Sequence, residues 1–383
     1  MNSVSKFCEE RKFEINIKKT KCMVFNRGNS LCKANIFING KVIDNVKHFK
    51  YLGFSIGAKN CNFTSMPLDL SIKARRAIFA LNNRIKLSML PARLAIKIFA
   101  TQIAPILLYG SEIWVPYSNF DFKGWEKCEV EKVHTQFLKR IMGCDIHSSN
   151  HMIRGEVGRR PLICDVITRS TLYIKHVDSI DESFANLALD IEASLDDENN
   201  VLSLVSQSTS YFKEPDYLPP KNSGEIKLKV NQKYDTFWKS ELTAMSKSDT
   251  YLLIKENVGF EKYMGVVKNH RHRIALSRLR MSSHSLMIEK GRHYKPPLPR
   301  VNRLCPFCKD QTEDECHFLI SCPLYNDERK DLFDSIRETT LLFDEIPTAF
   351  QKFIFLLTNE NDTIMSKLAA FTYNSFRKRA EFI

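Results

Sequence analysis

Apolar residues near the start of the chain recur at the two-residue spacing of a strand. Phe13, Ile15 and Ile17 alternate with polar neighbours, Met23, Val24 and Phe25 form a short apolar run, and Ile36 and Ile38 precede Asn39-Gly40 and Val42. Asn-Gly between two such runs predicts a hairpin, because both central positions must accept positive φ. Residues 49–56 read as one further strand, with Gly53 inside it at the place of a bulge. From about Pro67 the period lengthens. Leu70, Ala74, Ala77 and Leu81 share one helical face, and Pro91 opens a second helix with Leu94, Ile98 and Ile103 inward. A third helix is predicted over residues 122–142, burying Trp125, Val133, Phe137 and Ile141, with Gly143 just past its end as a cap. Pro161 opens a fourth, running to about His176. Further helical patterns cover 226–245, 271–281, 325–338, 346–357 and 362–382.

The pattern therefore predicts a mainly α chain with a small N-terminal β-rich segment, an α+β arrangement. Its expected divisions are residues 1–57, a helical region at 58–177, an acidic and Pro-containing linker region at 178–224, and a helical C-terminal domain at 225–383. The linker carries eight acidic residues and no Lys or Arg between 178 and 200, then a Pro/Gly-containing break at 214–224. No apolar run is long enough for a membrane span, and the N-terminus lacks the basic-then-apolar layout of a signal peptide. The expectation is an intracellular protein, nuclear or cytoplasmic, with no membrane partner. Eleven cysteines, an odd number at scattered spacing, argue against a disulfide framework and for metal binding or burial. A formal net charge of +13 favours a polyanionic partner, RNA or DNA.

The sharpest chemical signal is Cys305-x2-Cys308-x8-His317-x4-Cys322. A Zn²⁺ ion takes four soft or borderline ligands in a tetrahedron, and a structural site fills all four. The tight turn of Cys-x2-Cys brings two sulfurs to one ion, and His-x4-Cys adds two more ligands from a short helix or turn. Cys316, beside His317, leaves an all-cysteine set open. His317 is preferred, because adjacent residues point apart and His-x4-Cys is the knuckle spacing. The bland alternative is two buried cysteines and a satisfied histidine. Residues 268–303, which lead into this segment, carry ten Lys or Arg against one acid, Glu289. Lys268, Arg271, Arg273, Arg278, Arg280, Arg292 and Arg303 are the candidate phosphate contacts here, and Phe307 and Phe318 the candidate base-stacking rings, with Tyr294 beside them. A solvated cationic surface around a small aromatic core is the competing reading.

Three blocks carry a resemblance. Asn16-Ile-Lys-Lys-Thr-Lys-Cys-Met-Val-Phe25 followed by Phe49-Lys-Tyr-Leu-Gly53 is similar to the end of the polymerase palm in reverse transcriptases of jockey-like, non-LTR retrotransposons (long interspersed elements). The second part looks like the hairpin that grips the primer. Lys73-Ala-Arg-Arg-Ala77 with Pro105-Ile-Leu-Leu-Tyr-Gly-Ser-Glu-Ile-Trp114 resembles the helical thumb that follows. Arg278-Leu-Arg-Met-Ser-Ser-His284, Gly291-Arg-His293 and the knuckle look like the family's C-terminal Cys-Cys-His-Cys element. Lys12-Phe13 stands where the family usually has Gly-Leu.

The resemblance implies a palm remnant, a thumb-like bundle and a C-terminal domain with a structural zinc knuckle. It implies RNA or RNA–DNA hybrid as partner, contacted also by Lys19, Lys21, Lys50, Tyr51, Lys73, Arg75 and Arg76. The family's metal-binding aspartates lie upstream of the Lys-Thr-Lys block, so no Mg²⁺ site and no polymerase activity are expected of this chain. Lys19 is the match to a lysine near the departing pyrophosphate. Asp196-Asp197, in a polar acidic stretch, reads as surface. Without upstream palm strands, residues 13–56 should expose apolar faces, which an upstream polymerase region in another chain could cover. The rival reading is a zinc-stabilised helical protein-interaction module with no nucleic-acid role.

Overall fold

The computed structural model describes residues 2–26, 34–59, 62–115, 121–180, 183–194 and 222–382. Asp196-Asp197 and most of the predicted break at 214–224 lie outside them. The described chain is mainly helical with a few short N-terminal strands. Its contacts separate into two compact units, each assembled from three stretches of sequence: Met1–Arg76, Pro105–Glu131 and Leu162–Val230 in the first, Ala77–Ala104, Lys132–Pro161 and Asn231–Ile383 in the second.

In the first unit the strands pair two at a time. Phe37–Ile38 and Lys41–Val42 form the expected hairpin, with Asn39 and Gly40 at φ 50° and 71°. Lys21–Cys22 runs parallel to Asp44–Asn45. Residues 49–56 are not one strand. Leu52 and Gly53 adopt φ 47° and 90° and reverse the chain, so His48–Tyr51 pairs antiparallel with Phe54–Gly57. The alternation at 13–17 makes no strand, because no neighbouring strand satisfies its amides. Instead Asn16 Oδ1 accepts from the Lys19 amide (3.1 Å) and its carbonyl accepts from Thr20 (3.0 Å), a side-chain-built turn. Residues 23–25 are likewise irregular.

This second hairpin, residues 48–57, packs on the turn at Tyr109-Gly110. Tyr109 donates its hydroxyl to the Leu52 carbonyl (2.7 Å), and its ring lies 5.5 Å from that of Phe54. Both glycines are needed for this approach. A Cβ on Gly53 would stand 3.0 Å from the Tyr109 ring, and one on Gly110 would stand 2.2 Å from Phe54. Behind the turn, Trp114 stacks on Trp125 at 6.4 Å. The Trp125 indole donates to buried Glu131, which also accepts from the Leu162 amide, each at 2.8 Å. The predicted 122–142 helix breaks in two at 126–128, giving Phe122–Trp125 and Glu129–Met142. The break lets Trp125 turn its indole back to Glu131 while Val130 stays buried. Residues 162–178 form the fourth helix, and the acidic stretch begins as a helix, Phe184–Ser194.

The second unit is organised around the Asn150–Val157 helix, which the sequence pattern did not reveal. Trp238 donates to the His151 carbonyl (2.7 Å) and Tyr251 to the Met152 carbonyl (3.0 Å). Gly155 lies under both rings, and a Cβ there would meet the Tyr251 hydroxyl at 2.5 Å. Ala92–Ile98 follows Pro91 as predicted, but its buried face is Ala92, Ala95 and Phe99, and Leu94 is 45% exposed. The Glu129–Met142 helix ends on Gly143, at φ 62°, with the Cys144 amide returning to the Lys139 carbonyl (3.0 Å). The helices predicted beyond residue 225 appear as Ser223–Thr243, His270–Arg280, Asn326–Arg337, Ala349–Thr358 and Asp362–Phe382, close to their expected positions, with short unpredicted helices such as Asp249–Ile254 between them. Among the described residues no helix is long and apolar enough to cross a membrane.

Candidate metal centre and basic surface

Two local structures deliver the four ligands. The first is a tight loop: Cys305 donates its amide to the Gln311 carbonyl (2.8 Å), Lys309 donates to the Cys305 carbonyl (2.9 Å), and Lys309 takes φ 61° to close it. Within it the Phe307 and Cys308 amides point at the Cys305 sulfur. The second is a single wide helical turn, His317–Ser321, started by Asp314, whose carboxylate accepts from the His317 amide (2.8 Å).

The ligand atoms of Cys305, Cys308, His317 and Cys322 all lie within 4.8 Å of one another. Cys305 Sγ and Cys322 Sγ are 3.9 Å apart, and Cys308 Sγ is 3.3 Å from His317 Nε2. A tetrahedral ion with bonds of roughly 2.3 Å to sulfur and 2.0 Å to nitrogen separates its ligands by about 3.8 Å for two sulfurs and about 3.5 Å for sulfur and nitrogen. The cluster therefore has the size of one metal ion. His317 Nδ1 is held by Gln311 Oε1 (2.9 Å) and Ser321 Oγ (3.1 Å), which leaves Nε2 facing the sulfurs. Cys316 stands outside the cluster, so the set is three sulfurs and one imidazole.

Burial pushes all three thiols up, Cys308 to about 11, and lowers the His317 pKa. Thiols so raised stay protonated near neutral pH, and a bound cation would displace those protons. The surrounding framework is fixed by buried arginines. Arg329 donates to the Leu319 and Cys322 carbonyls at 2.9 and 2.8 Å and closes the His-x4-Cys turn from behind. Arg379 of the terminal helix forms a two-pronged pair with Glu313 at 2.7 and 2.8 Å.

No family model, curated protein or solved structure matches this chain.

The cationic residues divide between surface and interior. Lys268, Arg271 and Arg278 are exposed, and Arg292 is half-buried and paired with Glu289 at 3.0 Å. Three predicted phosphate contacts are interior instead. Arg280 is 3% exposed and bonds Glu156 and Glu261, each at 2.9 Å. Burial opposes its charge, but the two carboxylates outweigh burial and raise its pKa. Arg273, 6% exposed, reaches the Leu90 carbonyl, and Arg303 donates to the Leu298 and Ile288 carbonyls. Phe318 is also a core residue rather than a stacking platform, because its ring is fully buried and lies 4.6 Å from Phe376 and 4.8 Å from Tyr325. Phe307 is 38% exposed, edge-on to Phe382. In the first unit Lys19, Lys50, Tyr51, Lys73, Arg75 and Arg76 are exposed, and half-buried Lys21 pairs with Asp44 at 2.6 Å.

The sequence reading missed Lys290, Arg377 and Tyr373. The last two lie on the terminal helix some hundred residues from the basic helix, His270–Arg280, against which that helix packs. Their signal was faint: Tyr373 and Arg377 stand four apart, on one face.

Proposed function

We propose that this chain is the C-terminal part of a non-LTR retrotransposon reverse transcriptase, a zinc-stabilised nucleic-acid-binding region that does not polymerise by itself. The observation that carries this reading is the assembled Cys305, Cys308, His317 and Cys322 cluster, adjoining in sequence a stretch whose exposed charge is almost all positive. Three sulfurs and one imidazole at tetrahedral spacing suit Zn²⁺ better than an oxygen-seeking cation. The ion's part is structural, since the set fills all four positions and leaves none for a substrate.

Two further facts support the resemblance. The Phe49–Gly53 motif forms a hairpin, the shape the primer-gripping element would have, and it docks on the Tyr109-Gly110 turn of the second motif. Two distant blocks of the resemblance thus belong to one packed unit. Exposure of Phe13 (66%) and Leu52 (73%) fits a surface that an upstream polymerase region would cover.

The test is electrophoretic mobility shift of zinc-loaded chain with single-stranded RNA and RNA–DNA hybrid at two salt concentrations. A shift that weakens steeply with salt is expected. Absence of any shift at low salt would overturn the nucleic-acid role, and recovery of the same protein partners after nuclease treatment would favour an interaction module instead.

A further inference from the structure

The basic helix and the terminal helix, Asp362–Phe382, enclose a groove of about 780 Å³ within the second unit. Its rim is cationic: Arg271 and Arg278 from the basic helix, Lys290 from the segment after it, and Arg377 from the terminal helix. No carboxylate lines it. Arg271, Arg278 and Lys290 form no salt bridge among the described residues, and Arg377 reaches only Glu381, at 3.5 Å. The rim is therefore a concentration of positive charge in which three of the four cations have no carboxylate partner, Arg278 being held by the Gly143 carbonyl at 2.7 Å.

The groove also has aromatic walls. Tyr373 and Phe376 are half-buried, each with part of its ring open to the cavity. Tyr373 is braced by His272 at 5.1 Å, and Phe376 is backed by Phe318 at 4.6 Å and His284 at 6.1 Å. Rings fixed from behind lose little freedom when something stacks on their open side. Alanines at 275 and 380 leave the space between the helices unfilled. A second cavity, about 550 Å³, shares Ser283, His284 and Lys290 with this one, but its lining is of mixed charge, with Asp145 and Glu289 beside Lys247 and Arg292, so the purely cationic rim belongs to the first groove.

From this we infer that the groove between the basic and terminal helices binds single-stranded nucleic acid, with phosphates on Arg271, Arg278, Lys290 and Arg377 and a base stacked on Tyr373 or Phe376. Phosphates meet cations whose charge is mostly unneutralised and release condensed counterions, while flat bases meet ring faces. A duplex keeps its bases stacked on each other and could use the rim alone. An acidic peptide would use the same cations but leave the rings without a planar partner. The inference rests on the nucleic-acid reading above and names the place and form of the ligand.

The experiment measures binding of fluorescein-labelled oligouridine to the full zinc-loaded chain by anisotropy at low salt. The groove variants are Arg271→Glu/Arg377→Glu and Tyr373→Ala. Arg271 and Arg377 are exposed, so their reversal spares the core. The control is Lys330→Glu/Lys367→Glu, which makes the same change in net charge at exposed sites outside the groove. Circular dichroism and zinc content establish that each variant is folded. Groove reversal is expected to weaken binding by about tenfold or more beyond the control, and loss of the Tyr373 ring by roughly tenfold. Oligouridine should outcompete uridine monophosphate by a wide margin, since a strand engages several cations at once. Tight wild-type binding that groove variants leave unchanged overturns the groove while sparing the nucleic-acid reading. A wild-type chain that binds no nucleic acid overturns both. Equal affinity for duplex and single strand, with Tyr373→Ala silent, or equal competition by the mononucleotide, overturns the single-strand assignment.

Discussion

At the scale of single residues, the same chemical type serves opposite ends in this protein. Arg271 is exposed and free of carboxylates, whereas Arg280, nine positions on, is spent on Glu156 and Glu261. Removing one member of a buried charged set leaves the other uncompensated in a poorly polarisable interior. Arg280→Ala should therefore cost about 3–5 kcal/mol of stability in urea unfolding, against less than about 0.5 kcal/mol for Arg271→Ala at the surface. The knuckle cysteines make a second contrast. Cys305→Ser or Cys322→Ser should abolish stoichiometric zinc by metal analysis, while Cys316→Ser keeps it. The raised thiols of the metal-free site fix the sign of its pH dependence. Binding must expel thiol protons, so apparent zinc affinity measured by competition with a chelator should rise as pH is raised from 6 to about 8. The four residues singled out by spacing do assemble into one cluster that could hold a metal ion, because spacing is local information. The sequence reading could not sort the arginines, since whether a side chain meets solvent or a carboxylate depends on residues far away in the chain.

At the scale of elements, the helices were legible and the strands much less so. Long amphipathic runs such as Asn326–Arg337 and Asp362–Phe382 declare themselves by period, and Asn39-Gly40 declares its hairpin by backbone chemistry. The strand expected over 49–56 is a hairpin because Leu52 and Gly53 take positive φ, a reversal that a bulge-like glycine only hints at. The Asn150–Val157 helix is short, and its buried face includes Arg154 and Glu156, which breaks the apolar pattern. Its ends nonetheless carry signals. Ser149 caps it, accepting from the Met152 amide, and Gly158 closes it at φ 66°. A Cβ on Gly158 would stand 2.5 Å from the Phe260 backbone nitrogen, which cannot rotate aside. Gly158→Ala should thus destabilise by more than about 1 kcal/mol, combining left-handed strain with that clash. Asn269→Ala, which deprives the basic helix of its cap on the Arg271 and His272 amides, should cost about 1 kcal/mol in chemical denaturation.

Across the whole molecule, the two units draw on interleaved stretches of sequence, so removal of the metal should act locally in one and spare the other. With chelator present, hydrogen exchange is expected to quicken at residues 300–325 while the Glu129–Met142 and Leu162–Asp178 helices keep their protection; uniform loss of protection would contradict a local role for the ion. The proposed reading also requires that purified chain incorporate no nucleotides in primer extension, and extension would refute it. What the sequence determined by itself was the helical class, the Asn-Gly hairpin, the basic character and the Cys/His cluster that could hold a metal, because each is written in residue types and short spacings. What only the tertiary structure decided was which cations remain at the surface and which rings stay open beside them. Arg271 and Arg377 come together across a hundred residues only when two helices pack, and packing depends on shape and burial throughout the unit rather than on any local pattern.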